Sequence, residues 1–400
     1  MIVQQSPCHR SPAAYAHPSR AGLAILGEDL SLWGFVKICG KKLRGEPSPG
    51  RPAPRRRARL LLLALAAGIG GWPGGSHAAP AAAATAPAPV RIVSYNVYNY
   101  LPLSKPQIKS PESRQTVLRI LAALNPDIAV LTETGGQEAV AEIAARLREQ
   151  GRDYPFTSIV RGEDTERFIG ILARRPPATV RHREGYRYSL NDRSVEVQRG
   201  FAHLVFTWEN GYRLHLLGAH LKSKLFDPRG QTDMRRYEAR LLRYIVNDIL
   251  KAEPAANILL VGDFNDSPDS SPLNTLINRR ANPESQLYDL RPLDGHALSW
   301  THCQDEADSY SRIDYALASR ALLPEILFAE VRIPDIPDWY IASDHRPLVI
   351  TLRPADQPPG ARELQGFVRN IRQPAPPISF FHEGPVAGTR KARKATAEEE

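Results

Sequence analysis

Between Val90 and Arg353 short apolar runs alternate with stretches in which apolar residues recur every third or fourth position. Arg91–Asn96, Ile128–Leu131, Ile169–Ala173, Phe201–Trp208, Leu214–His220, Ile258–Val261 and Leu348–Leu352 read as strands, and Asn210-Gly211 supplies a tight turn between two of them. Ser110 followed by Pro111 marks a helix start. Val117, Ile120, Leu121 and Leu124 continue that helix until Asn125-Pro126 stops it. Ala139, Val140, Ile143, Ala144 and Leu147 predict a second helix. A third spans Asp233–Leu250 with Leu241, Ile245 and Ile249 on one face. Ser311–Ala318 alternates, setting Ile313, Tyr315 and Leu317 against Arg312 and Asp314. Strands interleaved with helices, and no internal repeat, predict one folded α/β unit over residues 90–353.

The flanks differ. Arg55, Arg56, Arg57 and Arg59 precede Leu60–Ala67, and glycines then break the run before Ser76-His77-Ala78. A basic start, a short apolar core and small residues beyond it predict a secretory signal peptide at about 51–78. An Ala/Pro linker follows to residue 89, giving an exported, periplasmic or secreted product. The apolar stretch is too short for a bilayer span. More than fifty residues precede it, so the true translation start is expected downstream of Met1. Residues 354–400 are Pro-rich and then charged, which predicts a flexible tail.

Composition excludes a disordered chain: 42% of residues are apolar and 24% charged. The net charge of +9 suggests a polyanion partner, but residues 1–78 hold 11 Lys/Arg against 3 Asp/Glu. The remainder is close to neutral, so any attraction for phosphate must be local.

Chemically capable side chains sit where apolar runs end, the place where α/β folds build sites. Asn96, Glu133, His220, Asp263 with Asn265, and Asp344 with His345 all do so. In Gly262-Asp263-Phe264-Asn265 a carboxylate and an amide two residues apart can hold a water and a phosphoryl oxygen, or form a plain strand-end turn. His220 and Lys222 share a strand face by period two, which suits a phosphate anion or a solvated edge equally. Arg312 and Asp314 read as a cation and a base-orienting acid, or as a structural ion pair. No Cys/His cluster has zinc spacing.

Together these segments are more specific than any alone. Ser94-Tyr95-Asn96-Val97, Leu131-Thr132-Glu133, Ala219-His220-Leu221, Gly262-Asp263-Phe264-Asn265, Arg312-Ile313-Asp314-Tyr315 and Ser343-Asp344-His345, in that order, resemble the endonuclease/exonuclease/phosphatase superfamily. Its members include pancreatic-type deoxyribonucleases, abasic-site endonucleases, neutral sphingomyelinases and inositol-phosphate 5-phosphatases. The resemblance implies a four-layered αββα sandwich: two packed, mostly antiparallel sheets flanked by helices. It implies Glu133, Asn96 and Asp344 around Mg²⁺ (or Mn²⁺), His345 as general base oriented by Asp314, and Asp263 as the rival base. Asp263 and Asn265 would position water and the scissile phosphate. His220, protonated, and Lys222 would stabilise the transition state, with Arg312 beside the substrate.

Two positions depart from the family pattern: Tyr98 stands where many relatives carry an acid, and Thr132 where Gln is common. The expected substrate is a phosphodiester, first a nucleic acid held by a rim including Arg161, Arg167, Arg174, Arg175, Lys224, Arg229, Arg235 and Arg236. A lipid headgroup, as for sphingomyelinases, is the alternative. Ile333, Ile336, Trp339, Tyr340 and Ile341 then form a membrane-reaching loop, a base-stacking loop or core. A phosphomonoesterase and a non-catalytic binding module remain further readings. No protein partner is indicated, and a monomer is expected.

Overall fold

The structure is a computed structural model that describes residues 87–100, 109–278 and 283–357. The expected signal peptide, most of the linker and the tail beyond residue 357 lie outside the described residues.

Among the described residues fifteen strands and five α-helices follow one another. The first half holds β1 (Val90–Tyr100), α1 (Pro111–Leu124), β2 (Ile128–Thr134), α2 (Gln137–Glu149), β3 (Phe156–Val160), β4 (Phe168–Ala173), β5 (Thr179–Val180), β6 (Arg187–Leu190), β7 (Arg193–Glu196), β8 (Phe201–Thr207) and β9 (Arg213–His220). The second holds α3 (Gln231–Ala252), β10 (Asn257–Asp263), α4 (Ser271–Ile277), β11 (Leu287–Asp289), β12 (His302–Gln304), β13 (Ser309–Ser311), β14 (Asp314–Ser319), α5 (Trp339–Ala342) and β15 (Leu348–Leu352). One sheet runs β15-β1-β2-β4-β3 and the other β11-β14-β10-β9-β8-β5. Each has a single parallel pair, β1 with β2 and β9 with β10. The other pairs in both sheets are antiparallel.

Alternation along the strands sorts the side chains into three apolar layers. Ile92, Val130 and Ile171 of the first sheet meet Leu204, Leu216, Val261 and Ala316 of the second. The outward residues Val93, Tyr95 and Leu131 pack on Val117, Leu121, Val140 and Ile143 of α1 and α2. Leu217, Leu260 and Leu317 pack on Leu242, Ile245, Val246 and Ile249 of α3. The result is an αββα sandwich. Leu241, placed on the core face by spacing, lies at that face's border, and Leu242 takes the core position.

Local signals fix the ends. Ser110 caps α1 by accepting from Ser113 N, with Pro111 in its first turn. Gly218 is what lets the sheets close: a Cβ there would lie 2.9 Å from Val130 Cγ1 of the opposite sheet.

Candidate active site

The in-register row His220, Asp263 and Asp314 joins three neighbouring strands at one end of the second sheet. All three continue the alternation of residues that face the first sheet, so they point into the mouth of the inter-sheet layer. Asp263 is 1% exposed, His220 2% and Asp314 3%. From the other side come Asn96 on β1 and Glu133 on β2. Simple alternation would turn Glu133 toward α1 and α2. Instead the β2–β4 register shifts between Thr132 and Thr134, and Glu133 adopts a left-handed φ of 61°. That bulge redirects the carboxylate into the site.

Hydrogen bonds tie the two halves together. Asn96 Oδ1 accepts from Tyr98 N at 2.9 Å. Its Nδ2 donates to Glu133 Oε1 at 3.3 Å and to Asp263 Oδ2 at 3.1 Å. Tyr98 thus contributes its backbone where the family pattern has an acid. Asn99 N donates to Glu133 Oε2 at 3.0 Å. His345 precedes β15, and its Nδ1 lies 2.7 Å from Asp314 Oδ2. With Nδ1–H donating to that carboxylate, Nε2 faces Asp263 Oδ2 at 3.8 Å and Asp344 Oδ1 at 4.0 Å. Ser343 Oγ donates to Asn96 O at 2.7 Å and accepts from His345 N at 3.0 Å, which locks the loop to β1. Asp263 Oδ1 accepts from Asn265 N at 2.8 Å, and Asn265 Nδ2 donates to Leu221 O at 3.0 Å.

The electrostatics follow from burial. Burial and the nearby Asp314 push Asp263 up to about 7. Burial, with Glu133 adding, pushes Asp344 up to about 6. Burial works against a charged His345, yet Asp314 in hydrogen-bond contact, then Asp263 and Asp344, raise it well above the usual histidine range. His220 moves the other way: burial, then Arg199, His345, Arg167 and Lys222, lower it far below that range. Burial and the nearby cations therefore favour a neutral ring over the expected protonated His220, even with Asp263 and Glu133 at 3.6 and 3.9 Å from its Nε2.

Two other expected residues are engaged elsewhere. β14 begins at Asp314, so period two does not extend back to Arg312; its guanidinium pairs with Asp289 and stacks over the Tyr315 ring. β9 ends at His220, so Lys222 likewise leaves the strand's alternation. Its Nζ lies 3.4 Å from Leu225 O and 3.9 Å from Asp227. Trp339 is buried against Trp300 and Tyr340, and Ile333 belongs to the inter-sheet core, so that apolar stretch is packed.

The site also holds residues the sequence did not single out. His302 on β12 places Nε2 3.8 Å from Asp344 Oδ2, its ring 4.7 Å from that of His345. Thr301 Oγ1 accepts from both Ile313 N and Asp314 N at 3.1 Å, anchoring the dyad's acid. Arg199, buried just ahead of β8, pairs with Asp164 at 3.2 Å while its Nε and Nη1 lack partners. Only the density of capable side chains around Trp300–Cys303 hinted at His302; nothing in the sequence marked Arg199.

The donors fit a divalent cation. Buried Asp263 and Asp314 and half-buried Glu133 and Asp344 bring carboxyl groups that no Arg or Lys pairs with directly among the described residues. Ligand atoms of Asp263, Asp314 and His345 lie within 4.8 Å of one another, as do those of His302, Asp344 and His345. Hard oxygen donors of this kind suit an alkaline-earth-type ion.

A buried carboxylate cluster beside a histidine–aspartate dyad is the equipment of hydrolases that cut phosphoric esters with a metal. The profile of the Endonuclease/Exonuclease/phosphatase family matches residues 93–345, and the chain belongs to that family. It is accordingly a metal-dependent phosphoric ester hydrolase. No curated protein matches it. It is similar in structure to an endonuclease/exonuclease/phosphatase from Bacteroides vulgatus, at 17% identity and TM-score 0.48 over 67% of this chain and 100% of that one. It is similar to the human Nocturnin catalytic domain, at 14% and 0.48 over 66% and 93%. It is also similar to sphingomyelinase C from Streptomyces griseocarneus, at 17% and 0.47 over 66% and 99%.

Proposed function

We propose that the protein is an exported, Mg²⁺-dependent phosphodiesterase whose substrate is a nucleic acid. The observation that carries the substrate class is the cationic wall beside the hydrolytic centre. Arg199 is buried near His220 and keeps Nε and Nη1 without partners, while Arg167 pairs with Asp164 at 3.6 Å and Lys222 lies 3.9 Å from Asp227. A single scissile phosphate would be served by the carboxylate-bound metal. A second cationic region suits a chain of phosphates.

Glu133 and Asp344, with Asn96 beside them, would hold the Mg²⁺, which when bound neutralises charge on the phosphoryl oxygens. The protein's own groups handle the proton. Asp263 Oδ2 and His345 Nε2 are 3.8 Å apart, a gap in which one water oxygen hydrogen-bonds both. Asp314 fixes the ring so that Nε2 is the nitrogen facing that water. Neutral His220, 3.6 Å from Asp263 Oδ2, contributes a hydrogen bond rather than a charge. Export rests on the Arg55–Arg59 cluster and the apolar run after it.

One observation favours a second reading. Leu225 and Phe226, 77% and 83% exposed, project just beyond β9, and such a tip suits a lipid surface. Plasmid DNA and RNA are to be assayed beside sphingomyelin vesicles, with Mg²⁺ and with chelator. Nucleic-acid cleavage lost on chelation is expected; vesicle hydrolysis without nuclease activity would select the lipid reading.

A further inference from the structure

The outer face of the second sheet carries a cavity of about 290 Å³ far along the strands from His220, under the C-terminal half of α3. His215 lies between Leu214 and Leu216, and His203 between Ala202 and Leu204, all four of which face the inter-sheet core. The two histidines therefore face α3, the opposite side of the sheet from Asp263. Arg181 and Arg183 continue β5 along β8, their backbone N–H groups donating to His203 O and Phe201 O. Two residues apart on extended backbone, they share a side.

The hydrogen bonds assign the ring protons. His215 Nε2 lies 3.4 Å from Glu253 Oε2, so that nitrogen carries the proton. His215 Nδ1 then accepts from His203 Nε2 at 3.1 Å. His203 Nδ1 is left as a lone pair with no hydrogen-bond partner, in a residue 1% exposed. Arg183 Nε is likewise buried and without a partner. Among the described residues neither Arg181 nor Arg183 forms an ion pair, whereas Arg213 pairs with Glu253 at 3.2 Å. Asp248 on the rim is the cavity's other acid. The cavity is thus lined by a histidine with one unpartnered acceptor and by two unneutralised guanidiniums, one of which has a buried, unpartnered Nε.

We propose that this cavity binds inorganic hydrogenphosphate. Its anionic oxygens take the two guanidiniums, and its P–OH donates to His203 Nδ1. Guanidiniums suit any oxyanion. The lone pair of His203 selects for one that retains a proton near neutrality, as phosphate does and sulfate does not. The cavity lies across the sheet from the catalytic cluster and stands independently of the substrate assigned to that cluster.

Equilibrium dialysis of chelator-treated full-length protein against radiolabelled inorganic phosphate tests this, since chelation removes anion binding through a metal at the catalytic centre. The expected result is a single bound equivalent. Sulfate should compete about ten-fold less well or worse, and R183Q and R181Q should each weaken binding about ten-fold. With Mg²⁺ restored, both variants should hydrolyse a generic phosphodiester within about two-fold of the unmodified protein, because the sites are distant. Arg181 is exposed, so its variant reports even where the Arg183 variant does not fold. Methyl phosphate, whose second pKa of about 6 leaves it largely without a P–OH near neutrality, should compete about as poorly as sulfate; equal competition would overturn the role given to His203 Nδ1. Absence of bound phosphate, equal competition by sulfate, or unchanged affinity in R181Q would overturn the proposal.

Discussion

Replacing Asp314 by Asn is the sharpest probe of the proposed proton-handling pair. The side chain is 3% exposed and nearly isosteric with Asn, and Thr301 Oγ1 still anchors the backbone N–H groups of residues 313 and 314. The fold should therefore survive. What changes is the 2.7 Å contact with His345 Nδ1. An amide can turn its NH₂ toward that nitrogen, which removes the carboxylate that most raises the ring's affinity for a proton and, in the neutral ring, places the proton on Nε2, the atom facing Asp263. The pair then loses both its charge balance and, in its neutral form, the Nε2 acceptor for water. Loss of general acid–base assistance costs about 10²–10⁴ in rate, and about 10³ corresponds to roughly 4 kcal/mol of barrier. The assay is turnover of a generic phosphodiester at saturating Mg²⁺, with the melting temperature recorded in parallel. The expected result is a fall in kcat of about 10³ with KM within about three-fold and little change in melting. A kcat within about five-fold of the unmodified enzyme would show that the dyad does not orient the reacting nitrogen, and the mechanism would fail.

Other outcomes follow from the same geometry. Chelation should abolish turnover and Mg²⁺ restore it; activity that persists in chelator refutes the carboxylate cluster as a metal site. Gly262→Ala should lower stability by about 3 kcal/mol or more, because at φ +140° a Cβ would stand 1.9 Å from Ala219 O; normal melting would contradict that contact. Arg199→Met should weaken nucleic-acid substrates by about ten-fold or more in kcat/KM yet spare a small diester, and equal losses on both would refute a second phosphate contact. Glu325, 2% exposed, is pushed by burial to about 7 from a usual 4.5. A carboxyl raised on folding is held protonated in the native state, so its contribution is full below the unfolded value and fades as pH rises toward 7. Glu325→Gln should therefore gain about 3 kcal/mol relative to the unmodified protein between pH 4.5 and 7. Urea midpoints whose difference does not vary with pH refute this.

Much of the architecture was legible because local physics wrote it. The Ser110-Pro111 cap, the Asn125-Pro126 stop and the Asn210-Gly211 turn each sit where the spacing put them. The ordered blocks ending in Asn96, Glu133, His220, Asp263, Asp314 and His345 named residues that do converge. Where spacing failed, a strand had ended. Lys222 and Arg312 were assigned by period two, but β9 stops at His220 and β14 starts at Asp314. Beyond those residues alternation carries no directional information.

The sequence by itself determined which segments become strands and helices, and which carboxylates, amides and histidines stand at strand ends, because those depend on contacts a few residues apart. Only the tertiary structure decided the rest. The β2 bulge turned Glu133 into the cleft, burial among cations kept His220 neutral, and long-range packing delivered His302, Thr301 and Arg199 to the centre. Those outcomes depend on low dielectric and on neighbours from distant parts of the chain, which no local pattern encodes.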